Sequence, residues 1–122
     1  MKILIVDDEK DIQRLFEQRF RKERRSGLVE LHFCFSAQEA LTYLQKEDAK
    51  DLTMILSDIN MPKMSGLELL KAVRQQYPEL QVYIITAYDD QEKRQQAMEL
   101  GATDFITKPI SFSLLKDKIL PQ

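Results

Sequence analysis

Apolar residues in this chain gather in five short runs, and between the runs they recur at helical spacing. Ile3-Leu4-Ile5-Val6 is compact and rich in β-branched residues, and predicts a strand. Leu28 to Phe35 alternates Leu31, Phe33 and Phe35 with Glu30, His32 and Cys34, which predicts an edge strand with one less buried face. Met54-Ile55-Leu56, Val82-Tyr83-Ile84-Ile85 and Phe105-Ile106-Thr107 predict three more strands. The Met54 run organises the rest: it breaks off on Asp58, and Pro62 and Gly66 then mark a loop.

Helical patterns fill the gaps. Ile12, Leu15, Phe16 and Phe20 form one stripe in a helix that runs into Arg19-Phe20-Arg21-Lys22-Glu23-Arg24-Arg25 and stops at Ser26-Gly27. Ser36-Ala37-Gln38-Glu39 reads as a capping box for a helix carrying Ala37, Ala40, Leu41 and Leu44. A charged loop over 46–51 follows. Ser65-Gly66-Leu67-Glu68 reads as a second box, opening a helix with Leu69, Leu70, Val73 and Tyr77 that Pro78 ends. Asp89 is the expected cap of a fourth helix over 89–100, whose apolar stripe is thin, so burial anchors it weakly. A fifth helix is expected over 112–120.

Alternating β and α elements predict a mostly parallel sheet with helices on both faces. Right-handed crossovers reduce the options to a flavodoxin-like, doubly wound (βα)5 α/β fold with strand order 2-1-3-4-5. The first and third strands then lie side by side at the switch point, where ligands bind at the carboxyl edge. The 122 residues, 1–122, fit one domain.

Composition narrows the classes. With 43% hydrophobic and 31% charged residues the chain reads as a soluble globular protein, and no apolar run is long enough to cross a bilayer. Met1-Lys2 leads straight into a strand without a signal pattern, so a cytoplasmic location is expected. A single cysteine, Cys34, excludes an internal disulfide and reads as an inert core thiol. The lone histidine, His32, reads as structural. A net charge of −2 gives no general attraction to nucleic acid, and the basic stretch over 19–25 reads as a solvated helix end near the C-terminal dipole.

The polar residues that end the strands carry the chemistry. Asp7 and Asp8 end the first strand, Asp58 the third, Thr86 the fourth and Lys108 the fifth, all on one sheet edge. Crowded carboxylates repel unless a cation intervenes, and oxygen ligands without His or Cys favour Mg²⁺. A cation, a lysine and a hydroxyl around one carboxylate can stabilise a transferring phosphoryl group, and the carboxylate can itself be the nucleophile. No Gly-rich phosphate loop or dinucleotide fingerprint occurs, so the phosphoryl group is expected from a donor bound elsewhere.

Val6-Asp7-Asp8-Glu9, the stretch from Asp58-Ile59-Asn60 through Met61-Pro62-Lys63-Met64-Ser65-Gly66, Thr86-Ala87 and Lys108-Pro109 stand in order at the right elements. Together they make the chain resemble, from Ile3 to about Leu120, a response-regulator receiver domain of bacterial two-component signalling. The resemblance implies a phosphoprotein rather than a turnover enzyme, catalysing only its own phosphorylation and dephosphorylation. Asp58 would be the phosphoacceptor. Asp7, Asp8, Asp58 and the main-chain carbonyl of Asn60 would hold Mg²⁺. Lys108 and Thr86 would contact the phosphoryl oxygens. Thr86 and Phe105 would form the switch, and Asn60, Ala87 and Tyr88 would tune the lifetime. The implied partners are a sensor histidine kinase or phosphotransfer protein and a downstream effector or fused output domain, with no direct nucleic-acid or membrane contact. The output surface would be the fourth helix, fifth strand and fifth helix, a face through which phosphorylation-dependent homodimers form in this family. Ile110 stands where the family often has Phe after Lys-Pro. Two other readings are an Mg²⁺-dependent phosphatase or phosphotransferase, whose nucleophile would more naturally sit in the first strand's acidic pair, and a flavodoxin-like small-molecule binder, which Asp7-Asp8-Glu9 disfavours.

Overall fold

The computed structural model describes residues 1–121; Gln122 lies outside the described residues. Five strands, β1 (Lys2–Val6), β2 (Glu30–Cys34), β3 (Met54–Asp58), β4 (Gln81–Ala87) and β5 (Asp104–Lys108), form one parallel sheet in the order β2-β1-β3-β4-β5. The expected topology is therefore the observed one. β1 and β3 are buried along their whole length, as strands covered on both faces must be.

Alternation along the strands feeds two cores. Leu4, Val6, Ile55, Val82 and Ile84 face one side, under α3 (Ala37–Leu44), α4 (Gly66–Gln76) and α5 (Gln91–Glu99). Ile3, Ile5, Leu56, Ile85 and Ile106 face the other, under α1 (Asp11–Arg19), Phe20 and α6 (Phe112–Ile119), while α2 (Arg21–Arg25) buries no residue.

The first predicted helix is two helices. The backbone leaves helical geometry at Phe20 (φ −102°, ψ 17°), whose fully buried ring stacks on Phe16 at 5.9 Å and meets the edge of Phe112 at 6.2 Å. Packing an aromatic into the core takes precedence there over an unbroken helix. The charged loop over 46–51 holds a single 3₁₀ turn, Glu47–Ala49.

Of the three caps read from the sequence, one forms in full, one in part, and one moves by a residue. Ser65 and Glu68 make the full reciprocal box. Ser36 accepts from the Glu39 amide, but the Glu39 carboxylate accepts from Phe35 N rather than from the Ser36 amide. Asp90, not Asp89, caps α5, accepting from Lys93 N at 3.2 Å. A capping side chain serves an amide two or three residues on, and the turn leaving β4 starts the helix after residue 90, with Asp90 N donating to Ala87 O.

Candidate functional site

Register assembles the site. β1 pairs Val6 with Ser57, so the next residues, Asp7 and Asp58, leave adjacent strands at the same level. Asp58 stands beside Ile85, one residue before Thr86, and Ala87 stands beside Lys108. The four strand ends therefore open at one edge.

Gly66 lets the loop after β3 fold back against that edge. Its amide donates to Ile59 O at 2.9 Å, and a Cβ at this position would lie 2.2 Å from the Asp58 carbonyl oxygen. Only a residue without a side chain permits this approach. Lys63, at φ 71°, takes the left-handed conformation within the same loop.

Asp7, Asp8 and Asp58 offer carboxylate oxygens within 4.8 Å of one another; Asp7 and Asp58 are buried and Asp8 is exposed. The donor set is entirely oxygen, which fits a hard dication such as Mg²⁺. Burial, reinforced by the Asp58 charge, raises the Asp7 carboxyl to about 6 even though it accepts from Glu9 N and faces Lys108. Lys108 Nζ lies 2.9 Å from Asp58 Oδ1. Burial by itself would lower the Lys108 ammonium, but the hydrogen bond and charge of Asp58, with Asp7 and Glu9, outweigh it and hold it above its ordinary value. Ser57, fully buried, donates to Asp58 O at 3.0 Å.

The Thr86 hydroxyl is buried, with the residue 1% exposed, and finds no hydrogen-bond partner among the described residues. A buried unpaired hydroxyl is costly, so its persistence at this edge points to a polar group that arrives there.

Ala87 is half-buried and Tyr88 is 75% exposed beside the site. Phe105 is half-buried on β5. The Arg94 guanidinium lies 5.0 Å and the Lys118 ammonium 5.9 Å from its ring centroid, and Lys118 also pairs with Asp104. α5 buries only Ala97, in keeping with its thin stripe. Asn60 is exposed, and its side-chain Oδ1 accepts from Lys93 Nζ at 2.6 Å. Lys93, Arg94 and Lys118 are contacts that the sequence reading passed over. They sit in polar stretches whose periodicity carries no sign of a partner across the fold.

The two residues set aside stay outside the site. The His32 ring contacts the Glu30 carboxylate and tilts against Tyr43 on the edge strand. Cys34 is buried, and burial pushes its thiol up to about 11, which keeps it protonated. Among the described residues no helix is long and apolar enough to cross a membrane.

Known proteins resemble this chain in sequence and fold. The chain is 35% identical over 121 residues to the response regulator protein PilR of Pseudomonas aeruginosa, covering 97% of this chain and 25% of that protein. It is 30% identical to a chemotaxis protein CheY homolog of Campylobacter jejuni, covering 98% of this chain and 89% of the relative. The solved structure of Vibrio cholerae chemotaxis protein CheY4 superposes with a TM-score of 0.82 at 31% identity, covering 97% of this chain and 94% of that one. The chain spans only about a quarter of the length of relatives such as PilR and the transcriptional regulator NtrC of Proteus hauseri, at 25% and 21%. The model of the response regulator receiver domain matches residues 3–120, and the chain belongs to that family.

Proposed function

We propose that the chain, acting as one receiver domain, accepts a phosphoryl group on Asp58 from a phosphohistidine of a sensor kinase or phosphotransfer protein. The observation that carries this reading is the buried Asp58 carboxylate. It lies 2.9 Å from Lys108, beside two further acids, on the sheet edge that also carries an unpartnered Thr86 hydroxyl. An Asp58 carboxylate oxygen attacks phosphorus in line. The phosphorus–nitrogen bond breaks, the histidine nitrogen keeps the electron pair, and an acyl phosphate forms. Lys108 offsets the charge of the phosphoryl oxygens. Thr86 donates its hydroxyl proton to one of them and so gains the partner it lacks in the unmodified protein.

Asp7, Asp8 and Asp58, with the Asn60 main-chain carbonyl, would hold Mg²⁺, which when bound neutralises charge between the carboxylates and the phosphoryl oxygens. These carboxylates keep the site acidic, so a free phosphate is repelled from it. That argues against the flavodoxin-like binder.

Thr86 moving toward the phosphoryl group vacates space beside β5, and Phe105 turns into it. The output surface is then α5, β5 and α6. Weak burial of α5 lets a local electrostatic event shift its population. Asn60, Ala87 and Tyr88 set how readily water reaches the acyl phosphate, and the protein catalyses no reaction beyond its own phosphorylation and dephosphorylation. The reading includes a cytoplasmic location, an effector or output domain as target without direct nucleic-acid contact, and a phosphorylation-dependent homodimer through the output surface.

The test is incubation with Mg²⁺ and acetyl phosphate, followed by intact mass and mapping of the modified residue. One hydrolysable, Mg²⁺-dependent phosphoryl group on Asp58 is expected, and none on Asp58→Asn. Full labelling of Asp58→Asn overturns the assignment.

A further inference from the structure

We infer that Lys93 is a positioning residue that sets the lifetime of the phosphoryl group on Asp58 through the side chain of Asn60; this rests on the reading above. Lys93 Nζ donates to Asn60 Oδ1 at 2.6 Å, across 33 residues of sequence. An ammonium only donates, so the contact fixes which end of the Asn60 amide faces it. The amide carbonyl is committed to Lys93, and its NH₂ is the end left to engage phosphoryl oxygens or water.

Lys93 is itself held. Its own amide donates to Asp90 Oδ1, and its ammonium lies 3.7 Å from Asp90 Oδ2. Asp90 in turn donates from its backbone to Ala87 O, one residue beyond Thr86. A chain of polar contacts therefore ties the loop after β3, the first turn of α5 and the end of β4. α5 buries a single residue, so burial anchors it weakly and this latch adds a polar tie at its first turn.

The chemical consequence is directional. Held by Lys93, Asn60 presents hydrogen-bond donors and cannot accept a hydrogen bond from an attacking water through its carbonyl. Released, its carbonyl turns toward that water and aligns it on phosphorus. Loss of the Lys93 donor therefore shortens the acyl-phosphate lifetime.

Lys93→Met keeps the side-chain stem and removes the charge and the donors. Phosphorylated protein, freed of donor by rapid desalting, is expected to lose its label about threefold faster in this variant, the scale of one ordinary hydrogen bond. Lys93→Arg, which still donates, is expected to return the half-life toward that of the wild type. In an Asn60→Ala background Lys93→Met is expected to have no further effect, a non-additivity that a merely structural lysine would not produce. In the unmodified protein the Asn60 side-chain amide resonances are expected to shift in Lys93→Met. An unchanged half-life, an effect of Lys93→Met that persists in Asn60→Ala, or unchanged Asn60 amide resonances each overturns the inference. Failure of the wild type to label on Asp58 instead overturns the phosphoacceptor reading, and the lifetime role with it.

Discussion

Gly66 and Asp58 touch through their backbones, so closely that a methyl group on Gly66 would overlap the Asp58 carbonyl oxygen at 2.2 Å. The carbonyl belongs to a buried strand and cannot retreat. Gly66→Ala is therefore expected to displace the start of α4, to cost about 3 kcal/mol in urea denaturation, and to slow labelling of Asp58. Wild-type stability in that variant would show that the loop yields.

Thr86→Val removes the unpaired buried hydroxyl and keeps the shape. The unmodified protein is expected to be as stable as the wild type or more so, by up to about 1 kcal/mol. Asp58 should still label. The shifts that labelling produces in the amide resonances of 91–119 should shrink, because the switch has lost its donor. Loss of stability in this variant would contradict the account of Thr86.

Asp7 gives the pH dependence. Its carboxyl stands near 6 in the folded protein against an ordinary 3.8, so between those values the folded state binds more protons than the unfolded state. Stability in Mg²⁺-free buffer is therefore expected to fall as pH rises from about 4 to 6, by as much as about 3 kcal/mol, with the full cost present above pH 6. Asp7→Asn should flatten that part of the profile and raise the melting temperature at pH 7.5 without Mg²⁺. Adding Mg²⁺ should stabilise the wild type more than the variant. Identical wild-type and Asp7→Asn profiles over pH 4–6 would remove Asp7 as the cause.

Tyr88 follows the end of β4 and is 75% exposed; in the proposed reading its ring screens water from the acyl phosphate. Tyr88→Ala is expected to change the rate of label loss with no change in folding stability, since an exposed side chain makes little contribution to the core. An unchanged rate removes Tyr88 from the set that tunes lifetime.

Phe105 has both Arg94 and Lys118 against its ring, so turning inward requires leaving two cations. Exposed cation–π contacts are worth about 0.5–1 kcal/mol each. Arg94→Met is expected to bias the Phe105 ring inward without phosphorylation. Its ring resonances should move toward the positions seen in labelled wild type. Resonances unmoved by the substitution would show that the Arg94 contact does not hold the ring.

The carboxyl edge was legible in the chain because parallel strands buried on both faces read as unbroken apolar runs. Polar residues that close such runs mark where the strands surface: Asp7 and Thr86 stand first after theirs, and Asp58 and Lys108 follow Ser57 and Thr107, while alternation of elements implied the topology that brings them together. Gly66 was legible as a loop marker, but its need to lack a side chain comes from the Asp58 carbonyl across the turn.

What tertiary structure alone decided depends on separations across the fold. The bend at Phe20 follows from the fit of its ring against Phe16 and Phe112. The choice of Asp90 over Asp89 as the cap of α5 follows from the turn that leaves β4. The contacts of Lys93 with Asn60 and of Arg94 and Lys118 with Phe105 join side chains on different elements. The hydrophobic period records which side of an element is buried; it does not record which surface side chains meet, because that is set by strand register and helix docking over distances of a few ångströms.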